Sequence, residues 1–370
     1  MFWLFFIIIV VMLSYAGDTK VCPPRIAYLF RALLVITLSY VVSFGSAIST
    51  DHYAYVDAYQ DSKGMDLSDI NILSFGRSAV GLGYEPGYML LSIAGHFFKL
   101  GFPGYLFCIL SCVNLVYVIF AYRHKYPVLS LFFFVLSNIF ILETNLVRQS
   151  MAMAVVFFSY SFIHNKRFIP SFFLILLGVT FHISAIVLIP ISLFAILDID
   201  EHKKIIYNFA LVIWVLSLIV GITGITIPSD FVFIGGDTTT YYDKYYSNSN
   251  DTGMEGTFDF VLNCAVFFIL SSFRKECSIY KIFLLFGVTI SNVSMAIPNL
   301  SRLALYFTTL VPLYFTTIFT ELPPKTVKLG RIFLWMIVLN SIRLLFFSHI
   351  LNSESGLGSI MYPLSSFFVN

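Results

Sequence analysis

Apolar runs of roughly 15 to 22 residues recur along this 370-residue chain, separated by short polar or Pro/Gly breaks. They fall at about 2 to 16, 28 to 48, 105 to 121, 127 to 142, 146 to 163, 168 to 181, 183 to 197, 205 to 222, 258 to 273, 279 to 297, 302 to 320 and 332 to 349. The pattern predicts an all-α, polytopic integral membrane protein with about 12 transmembrane helices, residues 1–370 forming a single membrane domain. The stretch at about 86–100, PGYMLLSIAGHFFKL, is short and carries His96 and Lys99, so a re-entrant or interfacial segment fits it better than a full span.

Charge placement orients these runs. The first run ends in the small-residue triplet Ser14-Tyr15-Ala16 and resembles a signal peptide, but no basic region precedes it; Lys20 and Arg25 follow it instead. An uncleaved first helix with its N-terminus outside is expected. Lys20, Arg25, Arg123, Lys125, Lys166, Arg167, Lys203, Lys204, Arg274, Lys275, Lys281, Lys325, Lys328 and Arg331 then fall in short loops on one side, which becomes cytoplasmic. That tally holds only if the stretch at 86–100 does not cross. Two longer loops, about 49–87 and about 223–257, face outward; the first holds Asp51, Asp57, Asp61, Asp66, Asp69, Arg77 and Glu85, and the second is rich in Tyr, Asp, Asn and Ser.

Composition agrees with lipid as the solvent: 58% of residues are hydrophobic, 11% are charged and the mean hydropathy is +0.87, whereas a soluble domain carries roughly 25% charged residues. The formal net charge of +2 comes from basic residues scattered in twos and threes, which excludes a nucleic-acid partner. Five cysteines show neither CxxC spacing nor zinc-ligand spacing with His, so neither a disulfide framework nor a structural metal is expected. Asp198-x-Asp200 looks like a metal-binding pair but stands alone on a short turn, and no cofactor is expected.

Candidate chemistry lies where charge meets apolar sequence. In ETNLVRQSMAMAVVFFSY, Arg148 and Gln149 open a helix that begins near Asn145, with Glu143 just before it. A charge at a helix centre costs roughly 2.5 to 3.5 kcal/mol, less near the interface, so such an arginine faces a cavity or a partner. It either snorkels toward Glu143 or a lipid phosphate, or forms an anion clamp assisted by the positive end of the helix dipole. Arg302 opens a second apolar helix in IPNLSRLALYF, and Arg77 in the outer loop offers a third guanidinium. The guanidinium fork suits phosphate or pyrophosphate oxygens. His182, in GVTFHISAIV, sits between two short apolar halves at the same boundary, as a packed residue or as a proton acceptor. Asp51 and Tyr55 lie four apart, on one side of a helical turn, and Glu85 and Tyr88 begin the short segment. Each carboxylate is a base, a hydroxyl acceptor or a solvated loop charge.

Taken in order, Asp51 with Tyr55, Glu85-x-Gly87-Tyr88, Arg148-Gln149, Phe181-His182-x-Ser184-Ala185 and Arg302-Leu303-x-x-Tyr306-Phe307 resemble the motifs of the EpsG/Wzy group of bacterial polysaccharide polymerases, over most of the chain. The first motif departs in lacking a Gly-Thr before the Asp. The resemblance implies a multi-pass inner-membrane glycosyltransferase, metal-independent, that joins undecaprenyl-pyrophosphate-linked oligosaccharide repeat units at the periplasmic face, making O-antigen or a related polysaccharide. It implies His182, Asp51 and Glu85 as catalytic candidates and Arg148, Gln149, Arg302, Arg77, Tyr55, Tyr88 and Tyr306 as substrate-binding ones. The partners implied are the lipid-linked oligosaccharide, membrane lipid and a chain-length regulator protein. An O-antigen ligase shares the donor, and a flippase is the competing class, though it would carry its charges near the bilayer midplane. A membrane-bound O-acyltransferase would need a histidine facing the cytoplasm, and His182 is expected on the other side.

Overall fold

A computed structural model describes residues 2–44, 52–70, 84–136, 140, 146–197, 199, 201–223, 255–273, 278–294, 300–322, 326–333 and 335. No strand occurs among the described residues. The chain gathers into two compact units: one from the residues up to Ile196 together with Pro312–Thr316, the other from Leu197–Val311 and the described residues from Thr317 onward.

The first unit contains α1 (Phe2–Ala16), α2 (Pro24–Phe44), α3 (His52–Asp61), α4 (Pro86–Phe97), α5 (Phe102–Tyr122), α6 (Pro127–Leu136), α7 (Val147–His164), α8 (Phe168–Phe181) and a 3₁₀ helix at Ile183–Ala195. Proline opens α2, α4 and α6 and stands second in α5, positions where the missing N–H has no helical partner to lose. Pro24–Phe44, Phe102–Tyr122 and Lys203–Thr223 are long and apolar enough to cross a membrane by length and composition. The apolar run at 183–197 forms 3₁₀ helix where an ordinary spanning α-helix was expected. Pro190 in its middle would, in an α-helix, clash with the carbonyl one turn back. The tighter winding rises about 2.0 Å per residue, so 13 residues reach about 26 Å where an α-helix would reach about 20 Å.

One end of this unit collects its basic turns. Arg31 donates from Nε to the Gly17 carbonyl at 2.8 Å, and its guanidinium carbon lies 3.9 Å from the centroid of the Tyr122 ring at the C-terminus of α5. Tyr122 donates to the Ser14 carbonyl at 2.7 Å, and Arg123 donates to Ser161 Oγ near the C-terminus of α7 at 3.0 Å. Helices α5 and α7 therefore run side by side in the same direction, with Tyr117 and Phe120 of one against Phe157 of the other. Their first turns share the opposite end. Both halves of α4 stay there: Ser92 Oγ is 2.9 Å from Tyr105 Oη in the first turn of α5, and Glu85, just before α4, meets Arg148 in the first turn of α7. With only 12 residues, about 18 Å long, α4 lies along one face without crossing to the other. Lys99, in the left-handed region at φ 53°, turns the chain from α4 into α5.

The second unit contains α9 (Lys203–Thr223), α10 (Glu255–Ser272), α11 (Ile279–Ser294), α12 (Leu300–Thr308) and most of α13 (Leu310–Glu321). A chain of polar side chains ties three of them. Trp214 Nε1 donates to Asn263 Oδ1 at 2.9 Å, Asn263 Nδ2 donates to Asn292 Oδ1 at 2.6 Å, and Asn292 Nδ2 donates to Ser217 Oγ at 3.0 Å. Over the span predicted at 302–320, α12 passes into α13 at Thr309, which stays in the right-handed helical region (φ −59°, ψ −23°) and donates to the Leu305 carbonyl at 3.2 Å. Lys281, expected in a cytoplasmic loop, is fully buried within α11 and donates to the Ser272 carbonyl at the end of α10 at 3.3 Å. The second outer loop up to residue 254, and 332–349 apart from residues 332, 333 and 335, lie outside the described residues.

Candidate functional site

The site forms where α4 begins and α8 ends. Glu85 is the residue before α4, in an extended conformation, and its side chain makes no capping bond to its own helix. Two residues on, Gly87 presses against the last turn of α8. A Cβ there would lie 2.7 Å from Thr180 Oγ1, 2.8 Å from the Thr180 carbonyl oxygen and 2.9 Å from Phe181 Cδ1. Only glycine permits that approach, and the approach carries the Glu85 carboxylate over the end of α8.

His182 stands there, extended at φ −154° and ψ 119° between α8 and the 3₁₀ helix. Its Nδ1 lies 3.4 Å from Glu85 Oε1, and the Ile183 N–H, first of the 3₁₀ helix, donates to the same oxygen at 3.4 Å. The Ile183 bond is long, and the Nδ1 contact falls short of hydrogen-bond geometry, leaving buried Nδ1 with no hydrogen-bond partner among the described residues. The second carboxylate oxygen takes Arg148 Nη1 at 2.5 Å. The Arg148 guanidinium lies 4.9 Å from the Tyr84 ring centroid and also donates to Tyr55. Tyr84 donates to the Ala54 carbonyl at 3.3 Å, fastening this segment to α3.

Exposure separates the three groups. The Glu85 side chain is 4% exposed, whereas Arg148 and His182 keep 22% and 17%. The carboxylate is sealed beneath two cationic or basic groups that reach the surface. Burial by itself would push the Glu85 carboxyl up; the His182 ring facing it and the Arg148 charge outweigh that and hold the carboxyl down to about 2. Arg148 spends single donors on Glu85 and Tyr55, and its Nε is buried without a hydrogen-bond partner among the described residues. The fork has donors left for an anion.

Glu85, Arg148 and His182 thus come together, with Tyr55 buried beside them and Tyr88 fully buried, 6.1 Å from Tyr55. Gln149, also expected at the substrate, is buried within α7. Asp51 and Arg77 lie outside the described residues. Arg302 is exposed in the first turn of α12 and Tyr306 is buried in the same helix, both in the second unit. Sequence reasoning offered Glu143, which lies outside the described residues, or lipid phosphate as the partner of Arg148, and missed Glu85, 63 positions earlier. It also missed Tyr84, Thr180 and the Ile183 N–H. The signal available was Glu85 directly before a proline that opens a non-spanning helix, with a glycine next to that proline.

The model of the EpsG family matches residues 28–366, nearly the whole chain, and the chain belongs to the EpsG family. No curated protein and no solved structure matches it.

Proposed function

We propose that this EpsG-family chain is a glycosyltransferase of the bacterial inner membrane, with about twelve spans, that polymerises undecaprenyl-pyrophosphate-linked oligosaccharide repeat units at the periplasmic face. The observation that carries the reading is the Arg148–Glu85–His182 cluster at the end of the first unit opposite its basic turns. By the positive-inside rule the basic end is cytoplasmic, which puts the cluster outside. Along α7, Arg148 and Ser161 are 13 residues apart, about 20 Å.

In the reaction, the hydroxyl oxygen of an acceptor sugar bonds to the anomeric carbon of the donor. The bond from that carbon to the lipid pyrophosphate breaks, and its electron pair leaves on the pyrophosphate oxygen. Arg148 meets the charge that develops there, in a setting where a fixed cation acts more strongly than in water. The hydroxyl proton passes to a base at the cluster. A flippase reading is less well supported, because Arg148 and Glu85 sit at helix starts rather than in mid-helix.

The purified full chain, given a synthetic undecaprenyl-pyrophosphate-linked repeat unit with and without a chelator, should lengthen the glycan equally in both. No transfer to a second repeat unit would remove the polymerase assignment, and loss of transfer on chelation would remove metal independence. In cells, Arg148→Ala and His182→Ala should insert normally and leave surface glycan capped at one repeat unit. Long chains in both variants would take these residues out of the mechanism, and loss of single-unit glycan as well would point to translocation. Arg302→Ala in the same assays decides whether that arginine belongs to the substrate-binding set.

A further inference from the structure

Resting on the glycosyl-transfer reading, we propose that Glu85 is a positioning residue that holds the His182 proton on Nδ1, so that Nε2 is the atom that accepts the proton of the attacking hydroxyl.

Glu85 makes a poor base for that step. Its side chain is 4% exposed, and both oxygens are engaged, one by Arg148 and the other by the Ile183 N–H, with His182 Nδ1 3.4 Å from the latter oxygen. With its carboxyl held down to about 2, it has little affinity for another proton. An ionised carboxylate only accepts hydrogen bonds. Nδ1 of His182 is buried, has no hydrogen-bond partner among the described residues, and lies 3.4 Å from Glu85 Oε1, so a carboxylate oxygen faces it just beyond bonding geometry. The hydrogen of a neutral imidazole therefore sits on Nδ1, and the lone pair sits on Nε2. Because Nδ1 is sealed, the 17% exposure of the side chain belongs to its other atoms. The hydroxyl proton moves to Nε2, the hydroxyl oxygen bonds to the anomeric carbon, and the pyrophosphate departs with the electron pair; the imidazolium then releases its proton to solvent.

Glu85 has two acceptor oxygens, and this geometry uses both. A glutamine has the same shape but one acceptor oxygen and two N–H donors. In Glu85→Gln, Arg148 claims the oxygen and the amide nitrogen turns its hydrogens on His182 Nδ1, which drives the imidazole proton onto Nε2. Nitrogen-15 spectra of histidine-labelled full chain in lipid near pH 8, where an ordinary imidazole is neutral, read the tautomer directly, with His182→Ala assigning the signal. The expected result is protonated Nδ1 in the wild type and protonated Nε2 in Glu85→Gln. The same substitution should lower kcat roughly 10²–10⁴-fold with little change in KM. Glu85→Asp, which restores two acceptor oxygens, should regain rate to the extent that it regains the Nδ1 proton. A wild-type signal from protonated Nε2 overturns the proposal, as does any variant whose rate and tautomer part company. If the wild type transfers nothing, the polymerase reading falls, while the spectrum still decides whether Glu85 sets the tautomer.

Discussion

Replacing Gly87 by alanine tests whether the close approach of α4 to α8 assembles the site. The added Cβ would meet Thr180 Oγ1 at 2.7 Å, the Thr180 carbonyl at 2.8 Å and Phe181 Cδ1 at 2.9 Å, all inside the 3.0 Å that real Cβ contacts respect. Ordinary contact begins at 3.4 Å, so relief from the nearest atom takes a shift of 3.4 − 2.7 = 0.7 Å. The hydroxyl could rotate away, but the carbonyl belongs to the backbone of α8 and cannot. The first turn of α4 must lift, and Glu85 rides on it. A lift of that size added to a 3.4 Å contact between Glu85 Oε1 and His182 Nδ1 breaks it. Overpacking of this kind destabilises by about 1–3 kcal/mol, and displacement of a catalytic group by about 1 Å can lower a rate 10²-fold. Gly87→Ala should therefore insert normally, lose a few degrees of thermal stability and lengthen glycan far more slowly. Adding Thr180→Ala removes the hydroxyl clash and leaves the carbonyl clash, so it should restore only part of the rate. Glycan length from a purified lipid-linked repeat unit measures both. Wild-type rate in Gly87→Ala, or full recovery in the double variant, would show that the backbone approach does not set the Glu85–His182 geometry.

Arg148→Lys keeps the charge beside Glu85 but loses the fork, so transfer should fall roughly 10²–10³-fold, as when one donor to a developing oxyanion is removed; near-normal turnover would mean the guanidinium supplies only charge. Glu85 gives the fold a defined acid dependence. Its carboxyl is lowered from the ordinary 4.5 to about 2, so its stabilisation is fully present above about 4.5 and is lost as pH falls toward 2. Thermal scans should show wild type and Glu85→Gln converging in that acid range and parting above it; a constant gap from pH 7 to pH 3 would refute the assignment. In the second unit, Asn292→Ala strips partners from Asn263 and Ser217 and should lower stability by about 1–2 kcal/mol, and an unchanged melting curve would show that the polar chain does not hold α9, α10 and α11.

Much of the fold could be read from apolar length alone. The starts and stops of α1 and α8 match the apolar runs to the residue, because punctuation and hydropathy coincide there. The 3₁₀ helix could not be read that way: periodicity does not distinguish two windings of a largely apolar thirteen-residue run around a proline. Lys281 was misplaced for a related reason, since a lone lysine beside polar residues reads as loop when its partner is a backbone carbonyl that sequence does not show.

The candidate site was legible as a set of residues and illegible as an arrangement. Charge in an apolar setting marks Arg148 and His182 because lipid makes such residues rare, so each can be found singly. What joins them is a contact between two backbones, at Gly87 and Thr180, and a glycine in a loop carries no mark of the surface it will touch. The consequence is chemical. Without that contact Arg148 and His182 are two separate polar groups at helix ends. With it, one sealed carboxylate holds both, leaves donors of the arginine fork unspent, and sets which imidazole nitrogen has a lone pair to offer.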